Sequence, residues 1–261
     1  MEAALWVAKT GLDAQQTRMT VIANNLANVN TTGFKRDRAT FEDLLYQNVK
    51  QGGAQTSADT AAPTGLLLGT GTRVVSTEKL HAQGNIIQTQ NAFDVAISGE
   101  GFFQILQPDG TLAYSREGGF KISAEGVLVN SSGYRLQPEL AIPQNAQTVT
   151  IGADGTVSIQ TFGEAAAQTI GQIQVARFLN PSGLQAIGEN LFRETSSSGP
   201  PQVGIPTQQG NGQLIQGALE SSNVNVVEEM VNMIETQRAY EVNSKAIDSV
   251  NSMLQYANNN L

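Results

Sequence analysis

Apolar residues recur every seven positions at both ends of this 261-residue chain, and every second position in much of the middle. Leu5, Leu12, Met19 and Leu26 occupy one heptad position, with Ala8, Gln15, Ile22 and Val29 three residues after each. That spacing predicts an amphipathic helix of about 40 Å at ~1.5 Å rise per residue. Val226, Met233, Tyr240, Ile247, Leu254 and Leu261 repeat the pattern at the other end, with Met230, Val250 and Ala257 beside them. Asn225 followed by Glu228 fits a helix N-cap and its capping-box acid, so this second helix is predicted to start there.

Between the helical ends, from about Arg73 to Gly217, the chain is rich in glycine, proline and threonine. Phe102 to Leu106 and Thr111 to Ser115 read as two strands joined by the turn residues Pro108-Asp109-Gly110. Glu125-Gly126, Ser132-Gly133 and Asp154-Gly155 repeat the device, which predicts antiparallel sheets. Residues 194–213 read as a long loop. The expected class is α+β: residues 1–32 form an N-terminal helix, 33–72 a connecting segment, 73–224 a β-rich domain and 225–261 a C-terminal helix.

The last helix carries a second apolar stripe, Val227, Val231 and Ile234, then Ala246 and Met253. Burying a Leu, Ile or Met contributes roughly 1.5–3 kcal/mol, and ordering each residue costs roughly 1–2 kcal/mol of backbone entropy. A single seam between the two ends is therefore marginal, and the second stripe needs other neighbours. The economical inference is that the ends fold against copies of themselves. That also gives a reason for ANNLANVN, residues 23–30, where Asn24, Asn25 and Asn28 lie too far inside the helix to cap it. In a layer surrounded by other helices an amide can hydrogen-bond between chains without the desolvation cost of a charge. Asn30 and Gly33 fit an end-of-helix turn.

Charge and composition narrow the function. A net charge of -8 gives no diffuse positive field, so nucleic acid is not an expected partner. Cysteine is absent, which removes disulfides and thiolate metal sites. The opening MEAALWVAKTGLDAQQ matches neither a cleaved signal nor a membrane span. The middle carboxylates Asp94, Glu100, Asp109, Glu117, Asp154 and Glu164 mostly adjoin glycines, which suits turns better than the facing pair of a glycoside hydrolase. His81 is the sole histidine and reads as a surface or packed imidazole. Gly69-Thr70-Gly71 lacks the lysine of a phosphate loop. No catalytic, cofactor or metal site is expected.

ANNLANVNTTGFKR at residues 23–36 resembles the N-terminal signature of the bacterial flagellar axial proteins, the rod and hook family. SSNVNVVEEMVNMIETQRAYEVNSKAI at 221–247 resembles its C-terminal signature, and DVAISGEGFFQI, YSREGGFKISAEGVLV and IGENLFRE resemble its middle blocks. Within the family, LWVAKTGLDAQQ and the segment FEDLLYQNVKQGGAQTSADTAAPTG at 41–65 resemble the distal rod branch.

The resemblance implies a structural subunit exported without a cleaved signal through the flagellar type III apparatus. It implies self-assembly into a hollow tube crossing the periplasm, with the terminal helices as a coaxial inner layer and the β domain outside. The tube would transmit torque from motor to hook, turning inside the outer-envelope ring that serves as bushing. Expected partners are further copies of the chain, proximal rod proteins, the hook protein, ring proteins and the export apparatus. Expected contact residues are Leu5, Leu12, Met19, Ile22, Asn24, Asn25, Leu26, Asn28 and Val29 at one end. At the other they are Val226, Met230, Met233, Tyr240, Ile247, Val250 and Leu254. Residues 46–63, including Tyr46, Gln47, Gln51, Gly52, Gln55 and Pro63, are expected to form an extended rod-specific arm that locks onto neighbouring subunits. A proximal rod or hook protein is the nearer alternative, and an envelope glycan-acting enzyme with helical docking ends the farther one.

Overall fold

In the computed structural model the structure describes residues 2–52, 55–57, 60–61, 64–162 and 166–259. Glu164, Pro63 and Leu261 lie outside them. The class is α+β, with a helix at each end and a mostly antiparallel β region between. Two compact units emerge. One comprises the described residues of 1–26, 37–78 and 226–261, the other those of 27–36 and 79–225. We call them the helical unit and the β unit.

The β unit follows from period-two patterning and turn chemistry. Strand Phe102–Leu106 pairs with Leu112–Ser115 across the Pro108-Asp109-Gly110 turn, Leu106 opposite Leu112 and Phe103 opposite Ser115. Asp109 fixes that turn by accepting hydrogen bonds from the Thr111 amide at 2.9 Å and the Thr111 hydroxyl at 2.6 Å, and Asp154 does the same for Thr156 at 3.1 and 2.8 Å. Lys121–Ile122, Leu128–Val129 and Arg135–Gln137 extend the same sheet around the two glycine turns, and Leu191–Arg193 and Gln185–Gly188 complete its far side. A separate three-stranded meander holds Ala146–Ile151, Thr156–Thr161 and Gln168–Gln172.

Alternation sorts the side chains onto two faces. Phe103 and Ile105 join Val95, Ile97, Phe120 and Leu128 in the main core, whereas Phe102 points into a smaller cluster with Tyr114, Phe178 and Phe192. Within residues 194–213, expected to be loop throughout, Gln202–Gly204 forms a short strand on Val175–Arg177.

The helical unit is built differently. Helix α1 (Glu2–Ala27) and helix α2 (Val226–Asn259) run antiparallel: Asn25 meets Glu229 at 3.3 Å, and Asn243 lies against Gly11 two heptads further along both helices. The described residues between 37 and 79 pair as a nested β ribbon. Asp37–Asp43 pairs with Thr72–Lys79, Gln47–Lys50 with Leu66–Leu68, and Gln55–Ser57 with Thr60–Ala61. Within the expected arm at 46–63, the described residues pair antiparallel with one another and with Leu66–Leu68. Its outgoing and returning halves satisfy each other's backbone groups, which a lone strand would leave to water.

Candidate assembly surface

Helix α2 of the helical unit buries polar side chains and leaves several apolar ones exposed. Glu229, Thr236, Asn243 and Val250 are seven residues apart on α2, and this face turns toward α1. Three of the four are polar. Glu229 is 1% exposed and Thr236 fully buried, its hydroxyl bonded to the Asn232 carbonyl at 2.6 Å. Met233, Ile247, Val250 and Leu254 line or flank that face and are half-buried, while a second set of apolar side chains lies on the opposite face: Val227 is 70% exposed, Val242 65%, and Val231 and Ile234 about half exposed. A helix that buries polar side chains at its partner and keeps a set of apolar ones exposed leaves part of its hydrophobic driving force without a partner in its own chain.

The expected contact residues divide accordingly. Ile22 and Asn25 are buried within the chain, while Leu5, Leu12, Met19, Leu26, Asn28 and Val29 are half-buried and Asn24 is exposed. On α2, Met233, Ile247, Val250 and Leu254 are half-buried, whereas Val226, Met230 and Tyr240 are exposed. Asn25 already has a full set of partners inside the chain. Its side chain accepts from the Asp37 amide at 2.8 Å and donates to the Asp37 carbonyl at 2.9 Å as well as to Glu229. Asn24 donates to the Asp37 carboxylate at 3.1 Å, and Asn28 accepts from the Thr31 hydroxyl at 3.1 Å.

The ribbon presents a second apolar surface. Leu45, Tyr46, Val49, Leu66, Leu67, Leu68 and Val75 are all exposed, as are Gln47, Gln51 and Gly52, and Gln55 opens the strand Gln55–Ser57. A two-stranded ribbon leaves both edges unpaired, and in isolation such a hairpin is marginal. Arg38 with Glu78 and Arg73 with Glu42 form ion pairs across its base.

The β unit contains what the sequence reading missed, a buried charge cluster. The Lys35 ammonium donates to Glu220 at 2.6 Å and to the Ala82 carbonyl at 2.8 Å, with both side chains fully buried. Arg116 approaches the other Glu220 oxygen at 3.4 Å and donates to the Gly99 carbonyl at 2.6 Å. Burial pushes Lys35 and Arg116 below their ordinary values, and the Glu220 carboxylate opposes this in both. Glu220 also accepts from the Gly84 amide at 2.8 Å, and its carbonyl accepts from Gly33 at 2.8 Å. Gly33 has φ +70°, and a Cβ there would meet the Glu117 nitrogen at 2.7 Å, so only glycine fits the turn after α1. The cluster thus stitches residues 33–36, 79–85 and 220–224 together, helped by Asn223, which accepts from the Arg36 amide at 2.7 Å and donates to the Leu80 carbonyl at 2.8 Å. A signal did exist in the sequence: Lys35 sits inside the quoted N-terminal signature, and its role needed only an acid to face it.

His81 is packed, edge-on to Phe102 and Phe192 at 5.5 and 5.4 Å. Burial first, then the charges of Lys35, Arg116 and Lys79, lower its pKa to about 4. It borders a cavity of about 310 Å³ with Arg116, Arg177, Phe178 and Pro181. Asp94 is buried rather than in a solvated turn, accepting from Thr89 at 2.7 Å and Asn91 at 2.8 Å. Among the described residues no group of three or more His, Asp or Glu side chains is placed to hold a metal ion. No helix of those residues is long and apolar enough to cross a membrane.

Comparison with known proteins covers the same regions. Residues 5–35 match the family described as flagella basal body rod protein. Residues 96–159 match the flagellar hook protein FlgE/F/G D1 domain, and 215–260 the C-terminal region of the flagellar basal body rod FlgEFG proteins. The chain is 54% identical over 252 residues to the flagellar basal-body rod protein FlgG of Buchnera aphidicola subsp. Schizaphis graminum, covering 97% of each chain. In Caulobacter vibrioides it is 46% identical to FlgG over 253 residues, 97% of each chain, and 34% identical to FlgF over 256 residues, 95% of this chain and 94% of that one.

Proposed function

The chain belongs to the flagellar basal-body rod family, and on that footing we propose that it works as a self-assembling drive shaft. It is a structural subunit of the flagellar distal rod. The end-to-end likeness to proteins named FlgG, and the weaker likeness to FlgF within one organism, favour the distal over the proximal branch. The terminal helices pack against those of neighbouring copies to form a hollow tube, and the ribbon locks onto adjacent subunits. The tube joins proximal rod to hook, turns inside the outer-envelope ring, and is fed by export through the flagellar apparatus.

One observation carries the assembly reading: α2 turns Glu229, Thr236 and Asn243 toward its own partner helix and Val227, Val231, Ile234 and Val242 away from it. A monomer gains nothing from that arrangement, since exposed apolar area stabilises only when something covers it. Concentrating the purified protein should produce straight tubes in electron micrographs, with the amides of 2–27 and 226–259 protected from hydrogen exchange there and weakly protected in the dilute monomer. A chain that stays monomeric at high concentration, or whose ends exchange slowly as a verified monomer, would overturn this reading.

A further inference from the structure

We propose that Asn25 makes the seating of the ribbon conditional on the pairing of the two terminal helices. This rests on the assembly reading above and adds an order of events to it. One side-chain amide meets three elements. Its oxygen accepts from the Asp37 N–H at 2.8 Å, and its nitrogen donates to the Asp37 carbonyl at 2.9 Å and to the Glu229 carboxylate at 3.3 Å. Asn25 lies on α1, Asp37 is the first residue of the ribbon, and Glu229 is in the first turn of α2. Asn25 and Glu229 are each 1% exposed.

Toward Asp37 the amide behaves as a neighbouring β-strand would, offering one donor and one acceptor to a single residue's backbone. Asparagine alone does this at the required length. Aspartate would keep the acceptor but set a second carboxylate oxygen against the Asp37 carbonyl and the Glu229 carboxylate. Alanine would leave the Asp37 backbone pair and Glu229 buried without this partner. Two further bonds between α1 and the ribbon are weaker: Thr10 accepts from the Thr72 amide at a long 3.4 Å, and the Asn24 bond to the Asp37 carboxylate is exposed.

Glu229 is what ties this frame to α2. With α2 in place, the Asn25 nitrogen has a buried anion beside it and is held toward Asp37. With α2 absent, the same amide faces water, which competes for both its groups. Ribbon and helix pairing therefore favour each other, and the exposed leucines of the ribbon become fixed in direction only when both ends of the chain have arrived.

The test compares hydrogen exchange of the ribbon amides, residues 37–50 and 64–79, with that of α1 and α2, in polymer and in dilute monomer. The full-length chain is used as wild type, Asn25→Asp and the double variant Asn25→Asp/Glu229→Gln. In the polymer, Asn25→Asp should speed ribbon exchange by about tenfold or more, as expected for one to two lost buried hydrogen bonds, with a smaller change in the helices. Glu229→Gln supplies a donor to the introduced carboxylate and should restore part of the ribbon protection, the bond to the Asp37 carbonyl staying lost. In the monomer, ribbon exchange should be the same in all three chains, because the frame is not yet built. Equal loosening of ribbon and helices, ribbon loosening in the monomer as well, or no rescue in the double variant would overturn the proposal. If Asn25→Asp yields no polymer, recovery of polymer in the double variant supports the junction and its absence overturns it. A wild-type chain that never polymerises would instead strike the assembly reading itself.

Discussion

The two units of this protein handle their apolar residues in opposite ways. In the β unit the large side chains close on one another: Phe103, Ile105, Val157, Ile173 and Val175 have no measurable exposure, the buried Lys35, Arg116 and Glu220 are paired, and the buried Asp94 is hydrogen-bonded. In the helical unit, Ala14 and Ile22 are the only apolar residues buried among those described, while Trp6, the ribbon leucines and the outer face of α2 are exposed. The β unit therefore has what a domain needs to be stable alone. The helical unit has secondary structure without a core, which is the condition of a segment completed by its partners.

Matched substitutions should break this contrast if it is wrong. The largest effect is expected in the β unit from Glu220→Ala, which strands Lys35 and Arg116 as buried cations without their carboxylate. Removing one partner of a buried pair costs about 3–5 kcal/mol, so the melting transition of the monomer should fall by many degrees or vanish. In the helical unit, Val231→Asp should leave that transition unchanged, because residue 231 is 51% exposed and the new charge is hydrated. The same charge buried between copies costs several kcal/mol, so polymer should fail to form at concentrations that suffice for wild type. Ile247→Asp, on a half-buried position, should act alike. Calorimetry and sedimentation separate the outcomes. A Val231→Asp chain that polymerises normally would mean that the exposed stripe faces solvent in the assembly too.

A smaller effect tests whether the β unit is also separable by pH. His81 is held at about 4, below its unfolded value near 6.5, so between those pH values the unfolded chain binds the extra proton. Its contribution is intact above about pH 6.5 and is lost as pH falls through 4, in total about 3 kcal/mol. His81→Leu keeps a packed apolar side chain between the phenylalanines and removes the titration. The variant should lose less stability than wild type between pH 6.5 and 4.5, measured by urea unfolding. Parallel pH profiles would show that the imidazole is protonated without penalty and is less enclosed than its ring contacts indicate.

What could be read in the sequence tracks this same division. The strands around Pro108-Asp109-Gly110 and Asp154-Gly155 were legible because local turn chemistry sets their register. Pairings such as Val95–Ser98 with Gln213–Gln216, or Ile86–Gln88 with Ala218–Glu220, were not, since no local signal links strands so far apart. The charge cluster escaped for a related reason. Lys35 and Glu220 each look like ordinary surface residues until the chain brings them together. On α2 the heptad was visible but its direction was not: spacing shows that residues share a face, not whether that face meets the same chain or another. The ribbon hid its strands because it is exposed on both sides. Without a buried face, nothing imprints an alternating pattern.

The smallest effect expected concerns that ribbon. A single extended segment from 46 to 63 would reach about 60 Å, but folded back as a hairpin it reaches about 30 Å. It can then grip an adjacent subunit but not span one and continue to the next. Deleting 46–63 removes the outer pairings while keeping the base, where Asp37–Asp43 pairs with Thr72–Lys79 and Arg73 meets Glu42. Asn25 still anchors that base through Asp37. Polymerisation should therefore survive, since the apolar face of α2 is untouched. What should change is resistance to sliding between neighbours, because a grip made of many distributed contacts stiffens a tube more than it stabilises it. Micrographs of the deletion polymer should show bent tubes with a persistence length several-fold shorter than wild type. If the tubes stay as straight and stiff, stiffness resides in the helix layer, and the exposed Leu45, Tyr46 and Leu66–Leu68 must serve a partner other than another copy of the chain.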